Sequence, residues 1–304
     1  MFQGFATLLI AGMLLPSSLP FFTNDTQDFA FPIALPGQPP LPVRIENDSL
    51  GLNTSARSIL VTDHASGLGL YSKDPAGLRS IASITKLMTA LVWLKQNPDW
   101  DEIVTIRPED ARAGGRVYLV AGDRVRARDL FYLTLVASSN EAAAALARIT
   151  PVENFVTQMN ATAEQLGMTR SYFQEPTGLH AGNVSTALDL ILLADAAFER
   201  EEIAEAAQYD RYVFAPLGRA SQVAESTDQL LGSFLNRDGF RILGAKTGYL
   251  DNAGYCLLLR VRAPGGQELT VAILGSESAF ARWQETKGLV SWVLENYTWP
   301  AAEQ

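Results

Sequence analysis

The sequence has a single cysteine, Cys256, and only two histidines, His64 and His180, among 304 residues. One thiol cannot form an internal disulfide or supply a cysteine-rich metal site. Two histidines leave little material for histidine-based metal binding or catalysis. We therefore expect no bound metal and no cofactor.

Basic residues are also few: 24 against 33 acidic residues, which gives a formal net charge of −9. A chain this acidic is repelled by a phosphate backbone, so nucleic acid is not an expected partner. Hydrophobic residues make up 47% of the sequence and charged residues 19%. This composition excludes a disordered or collagen-like chain and is ample for a sizeable core.

Charged side chains are absent from residues 1–22, and residues 5–15 form an apolar run. A helix of that run would span about 16 Å, roughly half the hydrocarbon thickness of a bilayer. The run fits a signal peptide better than a transmembrane helix, so we expect export to a periplasmic or extracytoplasmic space. Retention of residues 1–22 as an N-terminal membrane anchor is the alternative. The proline-rich residues 23–55 predict an extended linker, followed by a folded domain at residues 56–298.

Apolar periodicity predicts the elements of the folded domain. Short strands at 58–62 and 67–71 predict a hairpin. Helices are predicted at residues 84–95, 129–138, 141–149, 152–166 and 186–200. Three consecutive strands, 241–246, 254–263 and 268–275, precede a closing helix at 279–296. Strands at both ends of a helical block predict an α/β (α+β layered) domain: one antiparallel sheet flanked by helices, with an adjoining all-helical lobe.

The first of three polar motifs is Ser83-Ile84-Thr85-Lys86, at the start of the first predicted helix. Residues i and i+3 share a helical face, so the serine hydroxyl and the lysine amine can meet. Lysine can be the base that activates a serine if desolvation or another cation destabilises its ammonium form. About one SxxK is expected by chance in a chain of this length, so alone it favours a surface lysine near a helix cap.

Two further motifs follow. Ser-Ser-Asn at residues 138–140 lies at a junction of two predicted helices, where it could relay a proton and bind a peptide group, or cap a helix. Lys-Thr-Gly at 246–248 closes a predicted strand, where lysine and threonine can bind a carboxylate and glycine lets a ligand approach the backbone. Alone, it could also be an ordinary strand end before a turn.

In this order, SxxK, SxN and KTG resemble the active-site motifs of penicillin-binding proteins and class A β-lactamases. Only five lysines are present, and two fall in these motifs. A histidine-dependent serine hydrolase is disfavoured, because no G-x-S-x-G elbow occurs and we expect both histidines in turns or on the surface. Residues 57–296 look like the low-molecular-mass penicillin-binding proteins, the D-alanyl-D-alanine carboxypeptidase family, on four segments: 63–71, 81–90, 175–187 and 246–256. The resemblance implies a penicillin-binding protein/β-lactamase-like transpeptidase fold.

The resemblance also implies a reaction. Ser83 would be acylated by the penultimate D-Ala carbonyl of a peptidoglycan stem peptide ending in D-Ala-D-Ala. Lys86 would accept the serine proton, and Ser138 would help return it to the leaving amine. Backbone N–H groups of Ser83 and Tyr249 would form the oxyanion hole.

Substrate binding is implied at four further side chains. Asn140 would hydrogen-bond the substrate backbone, and Lys246 and Thr247, assisted by Arg282, would hold the terminal carboxylate. β-Lactams would bind covalently as inhibitors.

Three alternatives use or retain the same motifs. In its short length and in residues 175–187, the chain more resembles the family's DD-endopeptidases, which cut D-Ala–diaminopimelate cross-bridges, and the sequence leaves both activities open. A β-lactamase would use Glu175 to activate the deacylating water, but Pro-Thr-Gly follows it as in the peptidase loop, so we expect a structural role. A cell-wall-binding protein with a dead site is disfavoured by the three intact motifs.

Cys256, in an apolar strand, is expected to be a small core residue.

Overall fold

The structure is a computed structural model that describes residues 41–49 and 51–300. Its helices are α1 (Thr85–Leu94), α2 (Ala127–Leu135), α3 (Asn140–Ile149), α4 (Phe155–Gln165), α5 (Ala187–Phe198), α6 (Glu201–Ala206) and α7 (Ala279–Asn296). Its strands are β1 (Val43–Arg44), β2 (Ser58–Asp63), β3 (Gly69–Lys73), β4 (Arg79–Ser80), β5 (Ile103–Thr105), β6 (Arg124–Arg126), β7 (Val184–Ser185), β8 (Arg211–Phe214), β9 (Gln222–Glu225), β10 (Arg241–Leu250), β11 (Gly254–Arg262), β12 (Glu268–Ser276) and β13 (Tyr297–Thr298). The predicted signal peptide or anchor, residues 1–22, lies outside the described residues. Within the described ranges, no helix has both the length and the apolarity needed to cross a membrane.

The central sheet is antiparallel and has the strand order β10-β11-β12-β2-β3. β2 and β3 form the predicted hairpin, and β2 also pairs with β12, with Val61 opposite Val271. The prediction of one sheet assembled from sequence-distant segments is confirmed. The consequence for the site is that β10, which carries the Lys-Thr-Gly motif, is an edge strand of this sheet.

Both faces of the sheet are buried. Successive residues of a strand point to opposite sides, so neighbouring residues pack in different cores. Ile59 and Leu257 pack in one apolar core with Trp283 and other residues of α7. Leu60 and Leu258 pack in a second core that includes α5 and the helical lobe. The predicted layered domain with an adjoining helical lobe is therefore confirmed.

Helix α1 is the centre of the helical lobe, and all ten of its residues are buried. A helix that is buried on every side lies in the interior rather than on the surface. It packs against α2, α3, α4 and α5. A lysine at residue 86 of this helix is consequently placed inside the protein.

Several boundaries differ from prediction. β10 continues past Lys246 to Leu250, because β11 keeps pairing with it as far as Gly254 opposite Leu250. The Lys-Thr-Gly motif therefore lies within a strand rather than at its end. The second predicted helix ends at Leu135. Short α6 and the antiparallel strand pairs β5–β6 and β8–β9 were not predicted.

The described part of the predicted 23–55 linker contacts the domain. Strand β1 pairs with β13, with Val43 opposite Thr298. The backbone N–H and hydroxyl of Ser55 both donate to the Glu285 carboxylate on α7. Two parts of the predicted linker, β1 and Ser55, thus contact β13 and α7.

Candidate active site

Ser83 and Lys86 lie together at the start of α1. Ser83 belongs to a 3-10 turn, Ala82–Ile84, that continues directly into the helix. Ala82 has a φ of +46°, a left-handed conformation that bends the chain just before the serine. Lys86 Nζ lies 3.0 Å from Ser83 Oγ. The lysine is completely buried, whereas the serine is partly exposed.

Burial changes the charge of Lys86. It lowers the pKa of the amine to about 7, although the negative charges of Glu175 and Glu141 oppose the shift. The apolar residues Ile84 and Met88, two positions before and after Lys86, are also fully buried. Near neutral pH a large fraction of Lys86 is thus the uncharged amine, which is the form that can accept a proton.

The other partners of Lys86 leave its lone pair to the serine. Nζ lies 2.8 Å from Asn140 Oδ1 and 2.5 Å from the Thr177 carbonyl oxygen, and both oxygens can only accept. The Asn140 amide is fixed in this orientation because its Nδ2 donates to the Gly114 carbonyl at 2.9 Å. A neutral amine has two protons for these two acceptors, so its lone pair remains for the hydroxyl of Ser83.

The 138–140 motif divides its residues between capping and the site. Ser139 is the N-cap of α3, and its Oγ accepts the N–H of Ala142 at 3.1 Å. Ser138, with a φ of +56°, points elsewhere: its Oγ accepts from Lys246 Nζ at 2.9 Å. Asn140 reaches Lys86, as described above. Since the middle serine does the capping, the outer two residues are free for chemistry.

Lys246 provides a second buried amine. It is 2% exposed, and Nζ donates to Ser138 Oγ and to the Thr247 carbonyl at 3.1 Å. Burial lowers the pKa of Lys246 well below its usual value, and the charges of Lys86 and Arg282 lower it further, while Asp228 raises it. Lys246 contacts Ser138 and Lys86 contacts Asn140, so both amines meet the same 138–140 motif.

Threonine hydroxyls hold this strand to the neighbouring loop. Thr247 Oγ1 donates to Thr227 Oγ1 at 2.7 Å. The backbone N–H of Thr227 donates in turn to the Val136 carbonyl, just after α2. This chain of contacts joins the Lys-Thr-Gly strand to the helix that leads into the 138–140 motif.

The side chains of Arg282 and Tyr249 hydrogen-bond to other groups of the protein. Arg282 is buried and donates to the Gly248 and Cys256 carbonyls at 3.3 and 3.1 Å, so it supports β10 and β11. Its guanidinium lies 3.9 Å from the centre of the Trp283 ring. The Tyr249 side chain is exposed, and its hydroxyl donates to Asp251 at 2.7 Å. Only the backbone N–H of Tyr249 was predicted to take part in the site.

Two glycines let other segments approach the nucleophile turn. A Cβ at Gly178, which has a φ of +84°, would lie 2.2 Å from the Ala82 carbonyl oxygen. A Cβ at Gly248 would lie 2.8 Å from the Ile81 carbonyl oxygen and 3.2 Å from Ser83 N. Only glycine at these positions allows the 175–180 loop and β10 to hold the Ser83 backbone from both sides.

Glu175 organises its own loop. Its carboxylate accepts the N–H groups of Thr177 and Gly178, the Thr177 hydroxyl, and Asn183 Nδ2. Burial raises the pKa of Glu175, but the hydrogen bonds from Thr177, His180 and Gly178 outweigh it and the net pKa is lowered. This geometry supports the structural role expected for Glu175.

The remaining sequence candidates lie outside this chemistry. His64 is in the turn after β2, and exposed His180 accepts the Gly182 N–H in its own loop. Cys256 is fully buried, and burial raises the pKa of its thiol to about 11. The expectations of two turn or surface histidines and a core cysteine are confirmed.

Sequence reasoning missed three contributors to the site: Thr177, Thr227 and Gly114. Two of them, Thr177 and Gly114, act through backbone carbonyls, which any residue carries, so their identity gives no signal. The Glu-Pro-Thr-Gly stretch resembles the loop of the family, and this resemblance is the one sequence feature that points to Thr177.

Comparison with known proteins agrees with this site. The family model described as D-alanyl-D-alanine carboxypeptidase matches residues 45–278. A D-alanyl-D-alanine endopeptidase of Pseudomonas aeruginosa is 33% identical over 244 residues, covering 78% of this chain and 76% of the relative.

Solved structures show the same fold. The Streptomyces K15 DD-transpeptidase has a TM-score of 0.74 and 27% identity, covering 81% of this chain and 100% of that one. Penicillin-binding protein D2 from Listeria monocytogenes in its cefotaxime-bound form has a TM-score of 0.71 and 29% identity, with coverages of 81% and 100%. The chain therefore belongs to the D-alanyl-D-alanine carboxypeptidase family and is a serine-type D-Ala-D-Ala peptidase of the low-molecular-mass penicillin-binding protein group.

Proposed function

We propose that Ser83 is the nucleophile that cleaves peptidoglycan stem peptides ending in D-Ala-D-Ala, and that Lys86 is its base. The observation that carries the proposal is the hydrogen-bond pattern of Lys86. Two acceptor oxygens take the amine protons and the Ser83 hydroxyl lies at the remaining position, 3.0 Å away.

Acylation then follows from the geometry. The Ser83 hydroxyl proton passes to Lys86 Nζ as Oγ bonds to the carbonyl carbon of the penultimate D-Ala. Backbone N–H groups of Ser83 and Tyr249 are assigned to the oxyanion, where each donor contributes about 3–4 kcal/mol of barrier lowering in comparable sites. The C–N bond breaks to give an ester on Ser83 and a free amine, and water later hydrolyses the ester.

Ser138 is assigned to proton return. Its Oγ accepts a hydrogen bond from Lys246, so its own proton is free to be donated to the departing amine. Lys86, which gained the proton, is fully buried and holds the charged form unfavourably. Lys86 therefore gives its extra proton to Ser138 as Ser138 donates its own proton to the departing amine, which restores the neutral amine and the hydroxyl.

The terminal carboxylate is assigned to Lys246 and Thr247. A lysine ammonium has three donors, and Lys246 uses two of them on Ser138 and on the Thr247 carbonyl, which leaves one N–H for the ligand. Arg282 adds positive charge from behind the strand while it fixes the Gly248 carbonyl. Asn140, which bridges Lys86 and the Gly114 carbonyl, is assigned to the substrate backbone.

The leaving group distinguishes two activities. Release of free D-Ala is carboxypeptidase action, whereas cleavage of a D-Ala–diaminopimelate cross-bridge is endopeptidase action, with the same acyl-enzyme. The relative from Pseudomonas aeruginosa named D-alanyl-D-alanine endopeptidase favours the second as an alternative. Both leaving groups can present a carboxylate next to the departing amine, so Lys246 and Thr247 serve either one.

Location follows from the substrate. The family acts on the cell wall, outside the cytoplasm, and we propose that this chain is exported with residues 1–22 as signal peptide or anchor, 23–55 as linker and 56–298 as the peptidase domain. β-Lactams, one of which is bound in the Listeria relative, are proposed as covalent inhibitors.

The experiment incubates purified protein with uncross-linked pentapeptide muropeptides and with cross-linked dimers, and identifies products by mass spectrometry. Free D-Ala establishes the carboxypeptidase, and monomers from dimers establish the endopeptidase. The Ser83→Ala variant should lose either activity. A folded wild-type protein that changes neither substrate would contradict the proposal.

A further inference from the structure

Asp228 is a buried carboxylate that the reaction does not use. It is 9% exposed, and its Oδ1 accepts the Leu230 N–H at 2.9 Å as the N-cap of a 3-10 turn at Gln229–Gly232. Its Oδ2 is buried and has no hydrogen-bond partner within the described residues. Capping explains only one oxygen, and an asparagine would cap equally well.

The position of Asp228 links it to the carboxylate-binding strand. It directly follows Thr227, whose hydroxyl accepts from Thr247, the neighbour of Lys246. Leu230, two residues on, packs in the same apolar core as Trp283, the neighbour of Arg282. The hydrogen bond between Thr247 and Thr227 therefore ties the segment that carries Asp228 to β10.

Charge explains why an unpartnered carboxylate is tolerated there. Burying a carboxylate without a hydrogen bond is costly unless a cation is near. The charges of Arg282 on α7 and of Lys246 on β10 both lower the pKa of Asp228. Burial is the larger effect, however, and the pKa of Asp228 is raised to about 6.

Among the charges that shift the pKa of Lys246, only that of Asp228 is negative. Lys86 and Arg282 both repel its ammonium, and its hydrogen-bond partners are a hydroxyl and a carbonyl. Asp228 is the carboxylate whose charge favours the protonated amine. A neutral Lys246 would lose the charge that attracts the terminal carboxylate of the substrate.

We propose that Asp228 is a positioning residue for substrate binding: it holds Lys246 in the charged form that binds the carboxylate of the substrate. This inference rests on the proposed assignment of Lys246 to that carboxylate. Asp228 acts through Lys246, and it contacts neither the ligand nor the reacting atoms.

The test compares the wild type with Asp228→Asn, which keeps the capping oxygen and removes the charge. The second-order acylation rate constant is measured over a range of pH with benzylpenicillin and with its methyl ester, which lacks the carboxylate. The ratio of the two rate constants isolates carboxylate recognition, because Lys86 and Ser83 act equally on both compounds. Asp210→Asn, at an exposed aspartate, is the matched control for the loss of one charge.

Below the pKa of Asp228, about 6, the wild type and Asp228→Asn should have the same ratio. Above neutral pH, the ratio in the variant should fall by about tenfold relative to the wild type, which corresponds to a pKa of Lys246 lower by about one. Asp210→Asn should follow the wild type throughout.

Two results would overturn the inference. An unchanged ratio at alkaline pH would show that Lys246 does not depend on Asp228. An equal loss of both rate constants at every pH, with a lower melting temperature, would show a purely structural role. Failure of wild-type protein to be acylated by either compound would instead contradict the proposed function, and the inference with it.

Discussion

The amine of Lys86 lies 3.0 Å from the hydroxyl of Ser83 inside a helix that is buried on every side. Burial supplies what the reaction needs, because it makes the charged amine unfavourable near neutral pH. The same burial would be destabilising if the amine lacked partners, and two acceptor oxygens satisfy it.

The acylation rate should depend on the protonation of Lys86. Only the neutral amine accepts the serine proton, and its pKa is about 7, so the rate constant for benzylpenicillin should rise as pH increases through 7. Lys86→Gln should lose about 10²-fold or more above pH 7, and its rate should not rise through pH 7. Lys95→Gln, at the end of the same helix where the amine contacts Thr162 and Gln165, should behave as wild type. A rate that is constant from acid to neutral pH would contradict the role of Lys86.

Asn140→Asp should move that pH dependence. It places a carboxylate about 2.8 Å from the amine, the distance of the Asn140 oxygen. A neighbouring negative charge raises the pKa of a lysine by about 1–3, so the acylation rate should begin to rise at a correspondingly higher pH. Asn140→Ala should slow acylation without raising the pH at which the rate increases. Equal pH profiles for the two variants would show that charge at this position does not reach Lys86.

Gly178→Ala should disturb the nucleophile turn. The new Cβ would meet the Ala82 carbonyl oxygen at 2.2 Å, and displacement of Ser83 by about 1 Å can cost about 10²-fold in rate. Gly218→Ala is the matched control: its φ of +78° is similar, but no atom lies within 4 Å of the added Cβ. Both variants share a backbone cost of about 1–3 kcal/mol. Acylation rates and melting temperatures that fall equally in both would contradict the close approach.

Glu175→Gln should affect stability and leave deacylation unchanged. The pKa of Glu175 is lowered in the folded state, so its carboxylate stabilises the protein above the unfolded pKa, and this contribution is lost as pH falls through the folded pKa. The variant should therefore be less stable than wild type near neutral pH, and the difference should shrink in acid, as measured by urea unfolding.

The acyl-enzyme formed with benzylpenicillin should persist equally in both proteins. A much slower hydrolysis in Glu175→Gln would instead assign Glu175 to water activation, as in a β-lactamase.

The local parts of the site could be predicted from sequence. Ser83 and Lys86 are three residues apart on one helix, and helical geometry alone brings them together. The Thr177 carbonyl, 91 residues further on, could not be assigned, because its contact with Lys86 depends on tertiary packing. The role of Gly248 also differs from the expectation: it lets the nucleophile turn, rather than a ligand alone, approach the strand.

Some secondary-structure elements could likewise be predicted from the sequence, and others could not. Long periodic segments such as α7 and β11 could be predicted because many residues repeat one pattern. The paired strands β5–β6 and β8–β9 have three or four residues each, too few for a period to stand out.

The most direct test of the account is the site of covalent β-lactam attachment. Purified wild-type protein is incubated with a labelled penicillin, digested, and analysed by mass spectrometry. We predict one adduct, on the peptide containing Ser83, and none in a folded Ser83→Ala variant. An adduct on a different residue, or no adduct on folded wild-type protein, would contradict the assignment of Ser83 as the nucleophile.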